Sequence, residues 1–543
     1  MSKLYAMFKF SKPSIFIFTF LFYVISGSAR ESVNPSPLES DIADFGIIWG
    51  ALKFRSDVPH DKIDSLGAYY LQKVVNQGGD ESHKIIGRFI SELKMYERSG
   101  KKDCGCVSIL DHIDLDRDIL EKLKKLVCGS TKQRVNFRDS GVPENVPFKY
   151  SSYRFDRNTP ELSVLTLLYY WNAVQYLYAY RNEMEVNWIS LLPMYVQKIL
   201  KSDTVLEYET HFMALSAAME DAHSYLVSIQ FSSRNGWYEL DSQLMYRPEK
   251  GMYVDAPGIL TSNLKRGDRI LTIDDISVDS LVSAYSPYVY AGNPEDKGSE
   301  IAKMCTKSNK RDHVFQIMRD GREVTIEIRY YSYQDIKDAY QSDSVALEII
   351  DPNTCYLDIR KVTEDNYRKV FEKASEYNTL ILDMRSYPYI DFIDIVNQCV
   401  LFEKKRFVKY MNQDSINIGC FNLDENSDRC YTAPKTDKRK RPFNSYVIGL
   451  VNHQTQSHVE YILQMLKTYD RFESVGSHTA GANGSVIRLQ VSEGIKAIFT
   501  VQKVIDPEEG VTNGTGHIPD YVVEEDGFSG SDAILEKAIS LVR

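Results

Sequence analysis

Positive charge is in short supply in this chain. Lys and Arg number 65 against 75 Asp and Glu, a formal net charge of −10. That argues against general nucleic-acid binding, which needs a basic face. There is no H-E-x-x-H pair and no P-loop. The glycines of "GANGS" and "NGTG" read as turn positions that need positive φ, not as a phosphate cradle. No metal site and no cofactor is expected. After residue 25 no run is apolar and long enough to span a membrane. No Cys stands at the cleavage position after the first apolar run, which argues against a lipid-anchored N-terminus.

What is present is the balance of a globular protein, with 43% hydrophobic and 26% charged residues. At 543 residues the chain is long enough for about three or four domains. Tyrosine is abundant at 36, and aromatics reach 12%, a surplus that suits extracytoplasmic folds and binding clefts. The start reads as a secretory signal, residues 1–29. Lys3, Lys9 and Lys12 precede the apolar "IFIFTFLFYVI" (15–25), and "SGSA" (26–29) supplies small residues for cleavage after Ala29. The run is shorter than the ~18 residues of a spanning helix, so cleavage is preferred over an uncleaved anchor. An exported protein, periplasmic or extracellular, is the expectation. All eight cysteines lie beyond this segment, and in an exported chain an even count permits disulfides. Cys420 and Cys430 are placed to close the polar insertion between them. Cys104, Cys106 and Cys128 form too weak a pattern for zinc, so disulfides or thiols are preferred.

The chain divides by pattern. Residues 30–235 read as helical, with "FGIIWGALKF" (45–54) and "LSVLTLLYYWNAVQYLYAY" (162–180) carrying apolar residues at helical spacing. These aromatic stripes are helix-packing surfaces. Residues 236–333 are β-rich. From 345 to 543, strands such as "TLILDMR" and "SYVIGLVN" alternate with helices, the pattern of a mostly parallel sheet. The basic run "KTDKRKRP" (435–442) reads as a solvated loop. "NHQTQSHVEYILQML" (452–466) raises the central question. Ser457-x-x-Glu460 before an apolar helical face is a capping box. A nucleophilic serine at a helix N-terminus would look the same.

Two resemblances bear on that question. "LKRGDRILTIDDISVDSL" (264–281), followed by "FQIMRDGREVTIEI", resembles a PDZ domain, a module that adds a peptide end to a sheet edge. Leu264, Ile270, Leu271 and Ile273 are expected in its small core. The chain as a whole resembles the carboxy-terminal processing (tail-specific) serine peptidases and their tricorn-core-like branch. The matching segments occur in order: "MEDAHSYL" (219–226), the PDZ-like stretch, "LILDMRSYP" (380–388), the Ser457 segment, "VGSHTAGANGS" (475–485) and "NGTGHIPDYVV" (513–523). The resemblance implies a multidomain α/β protein: an N-terminal helical region, a PDZ-like module, and a C-terminal α/β peptidase domain of ClpP/crotonase-like fold.

It also implies roles. Ser457 is the nucleophile, since helix N–H groups and the macrodipole favour the developing negative charge. Many members draw a Lys base from the glycine-rich loop, but Ala482 and Asn483 stand there, so His223 is the matched base. Asn513 stands where an acid would orient that His, and Glu509 or Glu508 are the substitutes. The oxyanion donors are the N–H of His458 and, because Pro388 has none, that of Tyr387 or Tyr389. Gly267 and Ile270 in the module, and Gly481 and Gly484 in the loop, are candidate substrate-binding positions. Lys503 and His478 are the fallback bases. The expected function is an exported serine endopeptidase acting on peptides or protein tails. The alternative, motivated by Asn513 and the missing Lys, is an inactive homologue serving as a peptide-binding or envelope scaffold protein.

Overall fold

The computed structural model describes residues 35–79, 81–97, 108–128, 136–138, 142–144, 159–342, 346–401, 403–425, 430–432, 443–523, 527 and 530–542. The signal-like segment, Cys104, Cys106 and the basic run 435–442 lie outside them.

The N-terminal region is built by α1 (Pro37–Arg55), α2 (His60–Gln77), α3 (Ser82–Glu92), α4 (Arg117–Val127), α5 (Pro160–Leu177), α6 (Trp188–Lys201) and α7 (Val205–Ala217). Proline fills the first position of α1 and α5, where a missing N–H removes no helical bond. Helix α5 is apolar nearly all round and is buried along most of its length, as a central helix must be. The two aromatic segments pack on each other. A Cβ on Gly46 would lie 2.3 Å from Leu168, and Asn172 Nδ2 donates to the Gly46 carbonyl at 3.0 Å. Among the described residues no helix is long and apolar enough to cross a membrane.

After α7 the chain turns into β1 (Tyr225–Ser228). An antiparallel sheet follows, with strands β2 (Gln243–Arg247), β3 (Gly251–Ala256), β4 (Arg269–Ile273), β5 (Asp312–Arg319) and β6 (Arg322–Arg329) in that spatial order. Helices α8 (Val278–Tyr285) and α9 (Pro294–Cys305) are inserted between β4 and β5. Leu264, Ile270 and Ile273 share one core with Phe315 and Ile317. Leu271 stays half-buried outside it, where the β4–β5 register shifts. Helix α9 lies directly on edge strand β2: a Cβ on Gly298 would sit 2.2 Å from the Tyr246 carbonyl oxygen.

Helix α10 (Tyr333–Ser342) leads to a six-stranded sheet of β7 (Leu347–Asp351), β8 (Thr354–Asp358), β9 (Thr379–Asp383), β10 (Tyr446–Val451), β11 (Phe472–Gly476) and the short C-terminal strand Tyr521–Val522, in that order. It is parallel except for β7. The run "TLILD" of β9 is buried at every position, as a strand covered on both faces requires. Leu380 and Leu382 pack under α11 (Tyr367–Ala374), α12 (Phe392–Cys399) and α13 (His458–Leu466), while Ile381 faces α14 (Ala533–Ser540). After β11, a hairpin of β12 (Val486–Gln490) and β13 (Ile495–Thr500) leaves the main sheet and pairs with β1. Its Ile487, Leu489, Ile495 and Phe499 belong to the same core as the helical bundle. The bundle and the α/β region are therefore one packed body at this seam.

The bridge expected between Cys420 and Cys430 does not form. Cys128 and Cys420 are each disulfide-bonded, whereas Cys430 is a buried thiol in the α/β core.

Candidate active site

The site gathers at the carboxyl ends of β9, β10 and β11, where parallel α/β sheets leave a crevice. The turn after β10 is tightly held. Asn452 Oδ1 accepts the Gln454 N–H at 3.0 Å, and the Thr455 hydroxyl donates to the Met384 carbonyl at 2.9 Å, tying the turn to the end of β9. Ser457 follows with φ +55° and ψ −115°. An ordinary N-cap has extended backbone. A non-glycine residue in this region costs about 1–3 kcal/mol and persists only where its surroundings enforce it. The enforcing group is Glu460. Its fully buried carboxylate accepts the Ser457 N–H at 3.0 Å, the Thr479 hydroxyl at 2.5 Å, and the N–H groups of Gly481 and Ala482 at 2.9 and 2.8 Å.

Glu460 thus ties the first turn of α13 to the glycine-rich loop. Sequence reasoning saw only the capping-box half of this role; the other half depends on backbone donors some twenty residues downstream. Gly481, at φ +69°, has no room for a side chain: a Cβ would lie 2.6 Å from the Gly516 nitrogen. Gly484 is at φ +124°, where a Cβ would lie 2.4 Å from the Gln502 carbonyl oxygen. Both glycines are needed for these close approaches.

His223 reaches the same loop from the other side. Buried Asp221 accepts the His223 N–H at 2.8 Å, the Ser224 hydroxyl at 2.7 Å and the Thr500 hydroxyl at 2.9 Å, fixing the entry to β1 against the end of β13. Ala222 packs on Ala480 and Ala482. Burial pushes the His223 ring below the ordinary histidine value; Asp221 and Glu460 pull it back in part, and Arg488 adds to the lowering. The ring is therefore neutral at neutral pH, the form a base requires. Its Nδ1 is buried without a hydrogen-bond partner, and so is Oδ1 of Asn513. Asn513 precedes Gly514, whose N–H donates to the Gly481 carbonyl at 2.8 Å.

Glu509 is not available to orient His223. Asp506 accepts the Glu508 and Glu509 N–H groups in a tight turn, and the Glu509 carboxylate bonds instead to His517 Nδ1 at 2.9 Å and to Lys467 at the end of α13. Against the upward push of burial, these two partners hold its carboxyl down to about 2. Of the fallback bases, Lys503 is paired with Glu183, and His478 is exposed, with Nδ1 3.4 Å from the Thr515 carbonyl. His458 uses Nε2 to accept the Phe392 N–H at 3.0 Å, so its ring holds the loop after β9. In the antiparallel module, Gly267 makes the φ +85° turn before β4, and the Ile270 side chain lies in the core.

The turn after β9 brings Tyr387 beside the serine. Its ring stands beside that of His458, and the Ser457 hydroxyl and the His458 N–H both pull its phenol down against the upward push of burial. The Tyr389 ring packs on Tyr333 and Tyr340 instead. A hydroxyl at a helix N-terminus, N–H donors beside it and a neutral imidazole on a facing loop are the parts of an acyl-transfer site.

Residues 353–523 match the family model described as Peptidase family S41. Among solved structures, mature CPAF complexed with lactacystin aligns with a TM-score of 0.53 at 12% identity, over 71% of this chain and 97% of that one. Mature CPAF alone gives 0.51 at 13% identity, with the same coverage. The photosystem II D1 C-terminal processing protease gives 0.43 at 14%, over 70% of this chain and 97% of that one. At these identities the likeness to the two CPAF structures is one of fold. A search of curated proteins finds no match.

Proposed function

We propose that this chain, a member of peptidase family S41 through residues 353–523, is an exported serine endopeptidase that cuts peptide bonds in proteins or peptides. Ser457 attacks the scissile carbonyl, His223 takes its proton and returns it to the leaving amine, and the His458 N–H helps hold the oxyanion. Asn513, whose Oδ1 is unpartnered at rest, is the neutral group that takes up the imidazole N–H once substrate aligns the ring. The observation that carries this reading is the backbone of Ser457: φ +55° is strained for a serine, a helix cap does not need it, and the buried Glu460 carboxylate enforces it. A strained serine on a strand-to-helix turn is how other acyl-transfer enzymes expose a nucleophile.

Residues 236–333 serve in this proposal as a PDZ-like recognition module for peptide tails. Strand addition there requires α9 to move off β2, or use of the other edge, β6. Export to the periplasm or outside the cell rests on the signal-like segment 1–29.

A fluorophosphonate probe tests the catalytic reading. It should label the protein once, at Ser457 by peptide mapping, and Ser457→Ala should abolish labelling. Intact, folded protein that takes no label favours the second reading, a non-catalytic peptide-binding homologue. The observation behind that reading is Asn513 with an unpartnered Oδ1 where an acid is expected.

A further inference from the structure

We infer that the phenol of Tyr387, not its main-chain N–H, is the second oxyanion donor of this site. The inference rests on the reading of Ser457 as nucleophile. The turn after β9 runs Ser386-Tyr387-Pro388, so its proline offers no donor. This loop is pinned on both sides of the serine. At one end the Met384 carbonyl accepts the Thr455 hydroxyl at 2.9 Å; at the other the Phe392 N–H donates to His458 Nε2 at 3.0 Å. Between these anchors the Tyr387 ring stands 6.0 Å from the His458 ring, centroid to centroid, at 44°. The Ser457 hydroxyl and the His458 N–H both draw its phenol downward against the upward push of burial, as groups beside it would. A point within hydrogen-bonding reach of the nucleophile and of the following N–H is where a substrate carbonyl oxygen becomes an oxyanion. At rest the phenol oxygen stands in for that oxygen.

Tyr387 is 48% exposed, so its ring has open space into which to pivot as the substrate carbonyl enters. In the step itself, Ser457 Oγ bonds to the carbonyl carbon, its proton passes to His223, and the C=O electron pair moves onto oxygen. The Tyr387 O–H and the His458 N–H each donate a hydrogen bond to that oxygen, and no proton leaves the phenol. A tyrosine phenol ionises only near pH ~10, so it remains a donor throughout the neutral range.

Tyr387→Phe removes the hydroxyl and keeps the ring and backbone. Fluorophosphonate labelling of Ser457 and kcat on a peptide amide should each fall about 10²-fold, the size of losing one oxyanion donor, with KM and melting temperature held. Unchanged labelling returns the role to a main-chain donor and overturns the inference. Faster labelling overturns it too, making the phenol a plug in the hole, and so does a loss confined to KM, which marks a substrate contact. All three leave Ser457 as nucleophile. Wild-type protein that does not label at Ser457 overturns both the inference and the reading beneath it.

Discussion

The two sides of the candidate site are built to different standards. On the Ser457 side every backbone group that sets the geometry is held: the preceding turn by Asn452 and Thr455, the serine N–H and the glycine loop by one buried carboxylate. On the His223 side the backbone is anchored through Asp221, but the ring is not. Its Nδ1 has no partner, and among the described residues no hydrogen bond joins it to Ser457. In the proposed mechanism the nucleophile is positioned by the fold, while the base is left to be aligned by whatever binds. Catalytic hydrogen bonds that are loose at rest tighten when substrate excludes water and narrows the geometry.

The comparison breaks at once if the two sides do not work as a unit. Ser457→Ala and His223→Ala should each lower kcat by about 10⁴–10⁶-fold, and the double variant should be hardly worse than either single. Steady-state kinetics on all three checks this; additive losses would separate the sides.

Next in size is the anchor. Each Glu460 oxygen takes two donors. Glu460→Ala leaves four groups without an acceptor, at about 1–3 kcal/mol for each that stays buried. Glu460→Gln turns one oxygen into an amide that faces two donors. Both variants should shift the urea midpoint sharply downward, and Gln should not rescue Ala.

A smaller effect sharpens the His223 side. Its ring is held below the ordinary value of 6.5, chiefly by burial, so kcat/KM should rise with pH through a midpoint below 6.5. Asn513→Asp would place a negative charge at the orienting position, move that midpoint upward and raise the neutral rate if Asn513 faces the ring. Arg488→Met should move the midpoint upward as well, by less in high salt.

The smallest effect separates structure from catalysis. Glu509 is held down to about 2 by His517 and Lys467. A depressed carboxyl adds stability that is full above its unfolded value and is lost as pH falls toward the folded one. Glu509→Gln should therefore lower the melting temperature by about 2–4 °C at pH 7, with the difference vanishing near pH 2 and kcat changing little.

What could be read from the sequence followed local pattern. The apolar Leu380-Ile381-Leu382 run of β9, the Gly-Asp turn before β4 and the Ser457-x-x-Glu460 box all act through near neighbours. What could not be read depended on direction. Glu509 stands four residues before Asn513, yet the turn at Asp506 aims its carboxylate at Lys467, just past the end of α13, and at His517. Ile270 sits beside a turn of recognition type, yet strand alternation puts its side chain in the core. The continuity of the helical bundle with β12 and β13 left no trace in composition, because the pairing of β1 with β13 spans some 270 residues and is fixed only in the fold.

The measurement that bears most directly on the account is the rate of fluorophosphonate labelling at Ser457 in wild-type protein and in folded His223→Ala. The account predicts a single labelled serine and a loss of at least about 10³-fold in the variant. Equal labelling rates in the two proteins would contradict it.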